Sequence, residues 1–147
     1  MKRRKINVAI IGLGNCAGSL IEGITYYQQS KTLEGLLFPI LGGYSLNNIE
    51  IVVAFDISEG KVGKTIKEAI YHFPNDFYRI ANLEVLNNAP VLRGHTLDGN
   101  PEHLQKFVEE SKEKEVDVSE VLKKYKVDVL LNLLPTGSVE ATEFYGL

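Results

Sequence analysis

The sequence contains no tryptophan, one methionine and one cysteine, Cys16. A single thiol excludes an internal disulfide and fits a reducing, cytoplasmic setting. Long apolar runs are missing as well. No stretch approaches the ~20 residues a bilayer span needs, so no membrane partner is expected. The apolar residues near the start run straight into Gly12 without a small-residue cleavage site, so no signal peptide is read there. Clustered basic charge is scarce. Apart from Lys2-Arg3-Arg4-Lys5, the 16 basic and 19 acidic residues are scattered and sum to −3, which argues against a nucleic-acid partner. That cluster reads as a solvated tail before the first strand. His72, His95 and His103 lack metal-ligand spacing to cysteine or carboxylate partners, so no metal is expected. There is no internal repeat and no low-complexity segment.

What remains is ordinary globular material: 147 residues, 44% hydrophobic and 24% charged. That length suffices for one domain with a sizeable core, or for one half of something larger. The strongest local signal lies near the start. Ile6 and Val8 to Ile11 read as a strand buried on both faces. The strand ends in Gly12-Leu13-Gly14-Asn15-Cys16-Ala17, a G-x-G-x-x-G/A loop with Ala17 in the third small position. The first glycine permits the tight turn and the second admits a pyrophosphate. The third small residue lets the next helix pack on the strand. The helix N-terminus then offers unpaired N–H groups to the phosphates.

A helix is expected from about Cys16 to Gln29, with Ala17, Leu20, Ile21, Ile24 and Tyr27 as its apolar stripe. Residues Ser30 to Asn48 form a long connection broken by Gly35, Pro39, Gly42 and Gly43; such a loop is either functional or a surface insertion. Ile49 to Phe55 is a second strand ending in Asp56. A carboxylate there accepts from the ribose hydroxyls of NAD and repels a 2′-phosphate; the alternative is an acid that merely ends a strand. Ser58 to His72 reads as a helix burying Val62, Ile66, Ala69 and Ile70, which would leave Lys61 and Lys64 on its solvated face. Phe73 to Asn88 is irregular, with Phe73, Phe77 and Tyr78 as anchors to the core. A short strand at Val91 precedes a helix capped by Asn100, with Pro101 in its first turn and Leu104, Phe107 and Val108 inward. Asp117 and Glu120 form a capping box for a helix from Val118 to Tyr125. Val127 to Leu134 is a further apolar strand, and a last helix begins at Val139. Strands alternating with helices imply an α/β, Rossmann-like doubly wound parallel sheet. Such a sheet normally continues beyond this point, so a truncated domain is expected.

Ligands of open α/β sheets bind beyond the carboxyl ends of the strands. An NAD molecule stretched there would place its pyrophosphate at Gly12, Gly14, Asn15, Cys16 and Ala17 and its adenosine ribose at Asp56. The nicotinamide half would lie near Leu134, Pro135, Thr136, Gly137 and Ser138. A helix N-terminus favours a thiolate at Cys16. No histidine base lies near it in sequence, and packing against phosphates is the better reading. His95 and Asp98 either touch the cofactor or make turn hydrogen bonds. No nucleophile–base pair is visible, and the catalytic residues are left unassigned.

Several of these segments together resemble the short, prokaryotic type of inositol-3-phosphate synthase (myo-inositol-1-phosphate synthase). The segments are Gly12-Leu13-Gly14-Asn15-Cys16-Ala17 with Ser19-Leu20, Gly23 with Tyr26-Tyr27, Ala54-Phe55-Asp56 and Lys61-Val62-Gly63. They continue with Arg93-Gly94-His95-Thr96-Leu97-Asp98-Gly99, and with Val127-Asp128-Val129-Leu130 leading to Leu134-Pro135-Thr136-Gly137-Ser138. The stretch Tyr71 to Tyr78 does not resemble that family. The resemblance implies that residues 1–147 are the N-terminal part of an NAD-binding domain within a homo-oligomer, a tetramer in the family. The implied substrate is D-glucose 6-phosphate. One hydroxyl is oxidised with NAD to a ketone, an enolised neighbour closes the ring by an aldol step, and the ketone is reduced again. The family's phosphate-binding and proton-transferring lysines would lie beyond Leu147. The other readings are a different NAD-dependent oxidoreductase and a non-catalytic nucleotide-binding module.

Overall fold

The computed structural model describes residues 4–146. Lys2 and Arg3 of the basic tail, and Leu147, lie outside the described residues. The organising element is β1 (Ile6–Ile11), whose last four residues are all buried. It pairs in parallel with β2 (Ile49–Asp56) on one side and with β4 (Val129–Asn132) on the other. β3 (Val91–Arg93) adds to the far edge of β2, giving the order β3-β2-β1-β4. The doubly wound parallel sheet expected from the alternation of elements is therefore present. Its direction of growth reverses at β1, so a topological switch point falls between β1 and β4.

Alternation along β1 separates two cores. Val8 and Ile10 meet α1 (Asn15–Gln29) and α2 (Ile66–Ala69) through Ala17, Ile21, Ile66 and Ala69. Ala9 and Ile11 face the opposite layer with Val53, Phe55, Ala141 and Tyr145. That layer holds α4 (Val118–Lys124) and α5 (Val139–Tyr145). A register shift between Val8 and Ala9 skips one residue of β2. It explains why Ile51 and Ala54, three apart, share a face despite the period of two.

Several boundaries depart from expectation. The chain after Ser58 is not one helix. Gly63 has φ +81°, and Thr65 reciprocally caps a single turn with Glu68, so only Ile66–Ala69 is helical. The four apolar positions expected inward are nonetheless buried. α3 (Glu102–Gln105) is one turn long with Pro101 at its cap position, while the Asn100 side chain donates to Glu110. Phe107 falls beyond that turn and is 46% exposed. Of the expected anchors in the Tyr71–Tyr78 stretch, Phe77 packs against the core while Phe73 and Tyr78 are exposed. α1 begins at Asn15, and its most buried side runs through Gly18, Glu22 and Thr25 besides Ala17 and Ile21.

Glu22 is 1% exposed on that face. Its carboxylate accepts from the Ile80 and Ala81 N–H groups at 2.9 and 2.7 Å and from the Tyr71 hydroxyl. Tyr71 in turn stacks on Phe77, whose ring occupies the space a side chain at Gly18 would need. Burial and the adjacent carboxylate push the Tyr71 phenol well above the ordinary tyrosine range. This acid therefore pins residues 71–82 onto α1. Replacing Glu22 by Ala should cost about 2–4 kcal/mol by orphaning these donors. Thermal unfolding should show Tm lower by about 4–12 °C, with a smaller drop for Glu22→Gln, which keeps one acceptor.

Candidate functional site

Beyond the carboxyl ends of the strands lies a cavity of about 380 Å³. Its walls come from every strand end: Gly12, Gly14, Asn15 and Cys16 after β1, Asp56 at the end of β2 with Ile57 and Lys61 beyond it, Gly94 to Thr96 after β3, and Leu133 to Thr136 after β4. Four sequence features placed at one edge are thus gathered around one space. Gly12 has φ +82°, and a Cβ on it would lie 2.9 Å from the Leu133 carbonyl oxygen, so no other residue fits. A Cβ on Gly14 would meet nothing within 4 Å, so the space beside it is open. No side chain caps the N-terminus of α1, and its opening residues Asn15 and Cys16 line the cavity. The residues present therefore fit a phosphate group. Ala17 is fully buried beneath the loop and acts by letting α1 approach the sheet.

The loop itself is held by side chains. Asp56 Oδ2 accepts from the Leu13 N–H at 2.8 Å, and Oδ1 accepts from the Ile57 and Ser58 N–H groups at 2.8 Å each. The Leu13 carbonyl accepts from Asn75 Nδ2 at 2.8 Å and from Lys61 Nζ at 2.9 Å. Lys61 is 4% exposed, so its expected place on a solvated helix face is overturned. The helix it was assigned to does not form, and the turn after β2 folds the side chain inward. Its ammonium also lies 3.6 Å from Asp56 Oδ2 and 3.1 Å from Asn75 Oδ1. Lys64 is exposed as expected, its Nζ on the Gly60 carbonyl. Asn15 Oδ1 accepts from the Asp76 N–H at 2.8 Å, tying segment 72–76 to the loop. Pro74 and Asn75 consequently form a wall of the cavity, a role for which the sequence carried no local signal.

At the opposite end Leu134, Pro135 and Thr136 line the cavity, while Gly137 and Ser138 do not. Ser138 is buried at the start of α5 and its Oγ has no hydrogen-bond partner among the described residues. The α5 N–H groups are instead taken by Asp98, whose carboxylate accepts from Glu140 and Ala141 at 2.9 and 2.8 Å. Asp98 thus caps α5 from 42 and 43 residues away, a role neither of its two readings named. Those bonds hold its carboxyl below the usual range. His95 lines the cavity with Nδ1 2.7 Å from a Glu115 oxygen and its ring against Phe144. The Tyr145 hydroxyl accepts from the His95 N–H at 2.7 Å, and burial raises its phenol. Among the described residues no group of three or more potential ligands is gathered to hold a metal ion. No helix among them is long and apolar enough to cross a membrane.

A parallel sheet reversing at β1, with a glycine loop and an acid-tipped second strand around one cavity, defines a Rossmann-like α/β fold. No family model matches the chain. It is 41% identical over 144 residues, 96% of its length, to the inositol-3-phosphate synthase of Mycolicibacterium smegmatis. It is 42% identical over 148 residues to that of Corynebacterium glutamicum. These matches cover 39% and 40% of the relatives, so the chain spans about two fifths of their length. Among solved structures it resembles a protein named Ari2, with TM-score 0.69 and 26% identity over 91% of this chain and 40% of that one. It shares its fold with a myo-inositol-1-phosphate synthase-related protein from Thermotoga maritima, with TM-score 0.63 and 19% identity over 90% of this chain and 35% of that one. The chain is related by sequence to the inositol-3-phosphate synthases, as the motifs around Gly12 and Asp98 indicated.

Asp98 supplies a pH test of the site's far wall. A carboxyl held below its unfolded value stabilises the fold above the unfolded pKa, and that contribution is lost as pH falls through the folded one. The Tm difference between the wild type and Asp98→Ala should therefore be full near pH 7 and shrink below about pH 4. A difference that stays constant into acid would show that Asp98 does not hold α5 through its charge.

Proposed function

We propose that this chain binds NAD along the strand ends, as part of an inositol-3-phosphate synthase acting on D-glucose 6-phosphate. The observation that carries the proposal is the single cavity lined by Gly12, Gly14, Asn15, Cys16, Asp56 and Leu134–Thr136. Spread over three strand ends, such walls suit an elongated two-part ligand better than a compact one. Gly14 and the opening of α1 receive the pyrophosphate. Asp56 has both positions of Oδ1 taken by backbone donors, so a ribose hydroxyl bonds at Oδ2, beside the Leu13 N–H and the Lys61 ammonium. An acid at this position accepts hydroxyls and disfavours a 2′-phosphate, which supports NAD rather than NADP. Thr136 and the turn around it hold the nicotinamide half.

When bound, NAD supplies reversible hydride transfer, which is the chemistry a net isomerisation through a transient ketone requires. The described residues cradle that group and exclude water from it; sugar-phosphate recognition and ring closure belong to the remainder of the protein. The cytoplasmic setting and the homo-oligomeric state implied by the resemblance are part of the same proposal.

Calorimetry with NAD should show binding that weakens about tenfold or more in Asp56→Ala, since a lost charge-assisted hydrogen bond is worth about 1.5–3 kcal/mol. Unchanged affinity would remove Asp56 from the ribose site. Supplied with glucose 6-phosphate and no added NADH, the full-length protein should yield inositol phosphate. Stoichiometric NADH with another product would instead assign a different oxidoreductase. The 147-residue piece alone should form no inositol phosphate.

A further inference from the structure

We infer that Lys61 is a positioning residue of the cofactor site, setting the glycine loop and Asp56 in the arrangement that receives a dinucleotide. The inference rests on the NAD-binding reading above and extends it to a residue outside the glycine fingerprint. The Leu13 peptide is gripped on both sides: Asp56 holds its N–H, and Lys61 with Asn75 holds its carbonyl. Lys61 also joins the two grips, lying 2.9 Å from the Leu13 oxygen and 3.6 Å from Asp56 Oδ2. With side chains 5% and 8% exposed, the cation and the anion each lack bulk water to balance their charge. Each is therefore the other's opposite charge, while Asp56 also accepts from three backbone N–H groups.

Without the ammonium, Asp56 is left as a buried acid beside a phosphate-binding loop. A negatively charged ligand then has to approach a carboxylate that keeps its three N–H donors but has lost its cation. The Leu13 carbonyl would also lose one of its two donors, leaving only Asn75 on that side of the peptide. Both effects weaken dinucleotide binding through Asp56 and the loop, from a lysine that itself lines the cavity. Burial holds the Lys61 ammonium below the ordinary lysine range, against the pull of Asp56. The charged or titratable group facing it is Asp56; Asn75 and the Leu13 carbonyl are neutral.

The test compares Lys61→Met and Lys61→Gln with the wild type by NAD calorimetry from neutral to alkaline pH. Backbone amide exchange at Leu13 is measured alongside, without ligand. Lys61→Met should bind NAD about tenfold more weakly or worse, the loss of one charge-assisted contact. Lys61→Gln, which keeps a donor but no charge, should fall between. Wild-type affinity should decline at alkaline pH, below where an ordinary lysine titrates, and this decline should vanish in both variants. Leu13 exchange should speed up in Lys61→Met. Affinity within about twofold of wild type in a folded Lys61→Met, or an alkaline decline that survives it, overturns the positioning role. If the wild type binds no NAD, the proposed function falls, and Leu13 exchange alone decides whether Lys61 fixes the loop. If Lys61→Met does not fold, Lys61→Gln carries the comparison, and wild-type affinity with a flat pH profile overturns the proposal.

Discussion

The peptide group of Leu13 is where this molecule is tied together. It belongs to a loop too short and too enclosed to turn its polar atoms to water, so each needs a protein partner. The partners come from three separate places: Asp56 at the end of β2, Lys61 in the following turn, and Asn75 in the segment that crosses α1. Satisfying one peptide thus fixes the end of β1 against the end of β2 and draws residues 72–76 over the cavity. It also divides the labour of Asp56, whose carboxylate mainly serves the chain's own backbone and retains limited capacity for a ligand.

Much of this was legible in the chain, for local reasons. The strand, glycine turn and helix at residues 6–29 follow from an unbroken apolar run, a position that only glycine tolerates, and a helical stripe. Asp56 was readable because strand ends declare themselves where apolar residues stop. The misread segments share one cause. Val62, Ile66, Ala69 and Ile70 recur at helical spacing and are buried, yet Gly63 and the Thr65 cap confine the helix to a single turn. Periodicity reports which side chains face inward, and irregular backbone can meet the same requirement. The helical period puts Lys61 on a solvated face, whereas its burial follows from contacts 48 and 14 residues away. Asn75 lies in an irregular stretch, where neither motif nor period points to it.

The stretch from Tyr71 to Asn82 is joined to α1 largely by polar links. Glu22 receives Tyr71 and two backbone N–H groups, Gln29 exchanges hydrogen bonds with Asn82, and Asn15 takes the Asp76 N–H. Tyr71, Phe77 and Ala81 add apolar contact with the core. Most of the polar links reach the backbone of the stretch, while Tyr71 and Asn75 act through their side chains. One wall of the cavity is thus held in place by polar groups that α1 and the glycine loop supply.

The same grip on Leu13 has a consequence for how the chain acquires its shape. The three contacts bridge 43, 48 and 62 residues, so none can form until β2 and the segment after it have docked. Closing loops of that size is entropically opposed until the surrounding sheet repays it. The edge that receives the ligand is therefore among the last parts to assemble. A ligand that fills it would act as a late staple on an otherwise finished sheet.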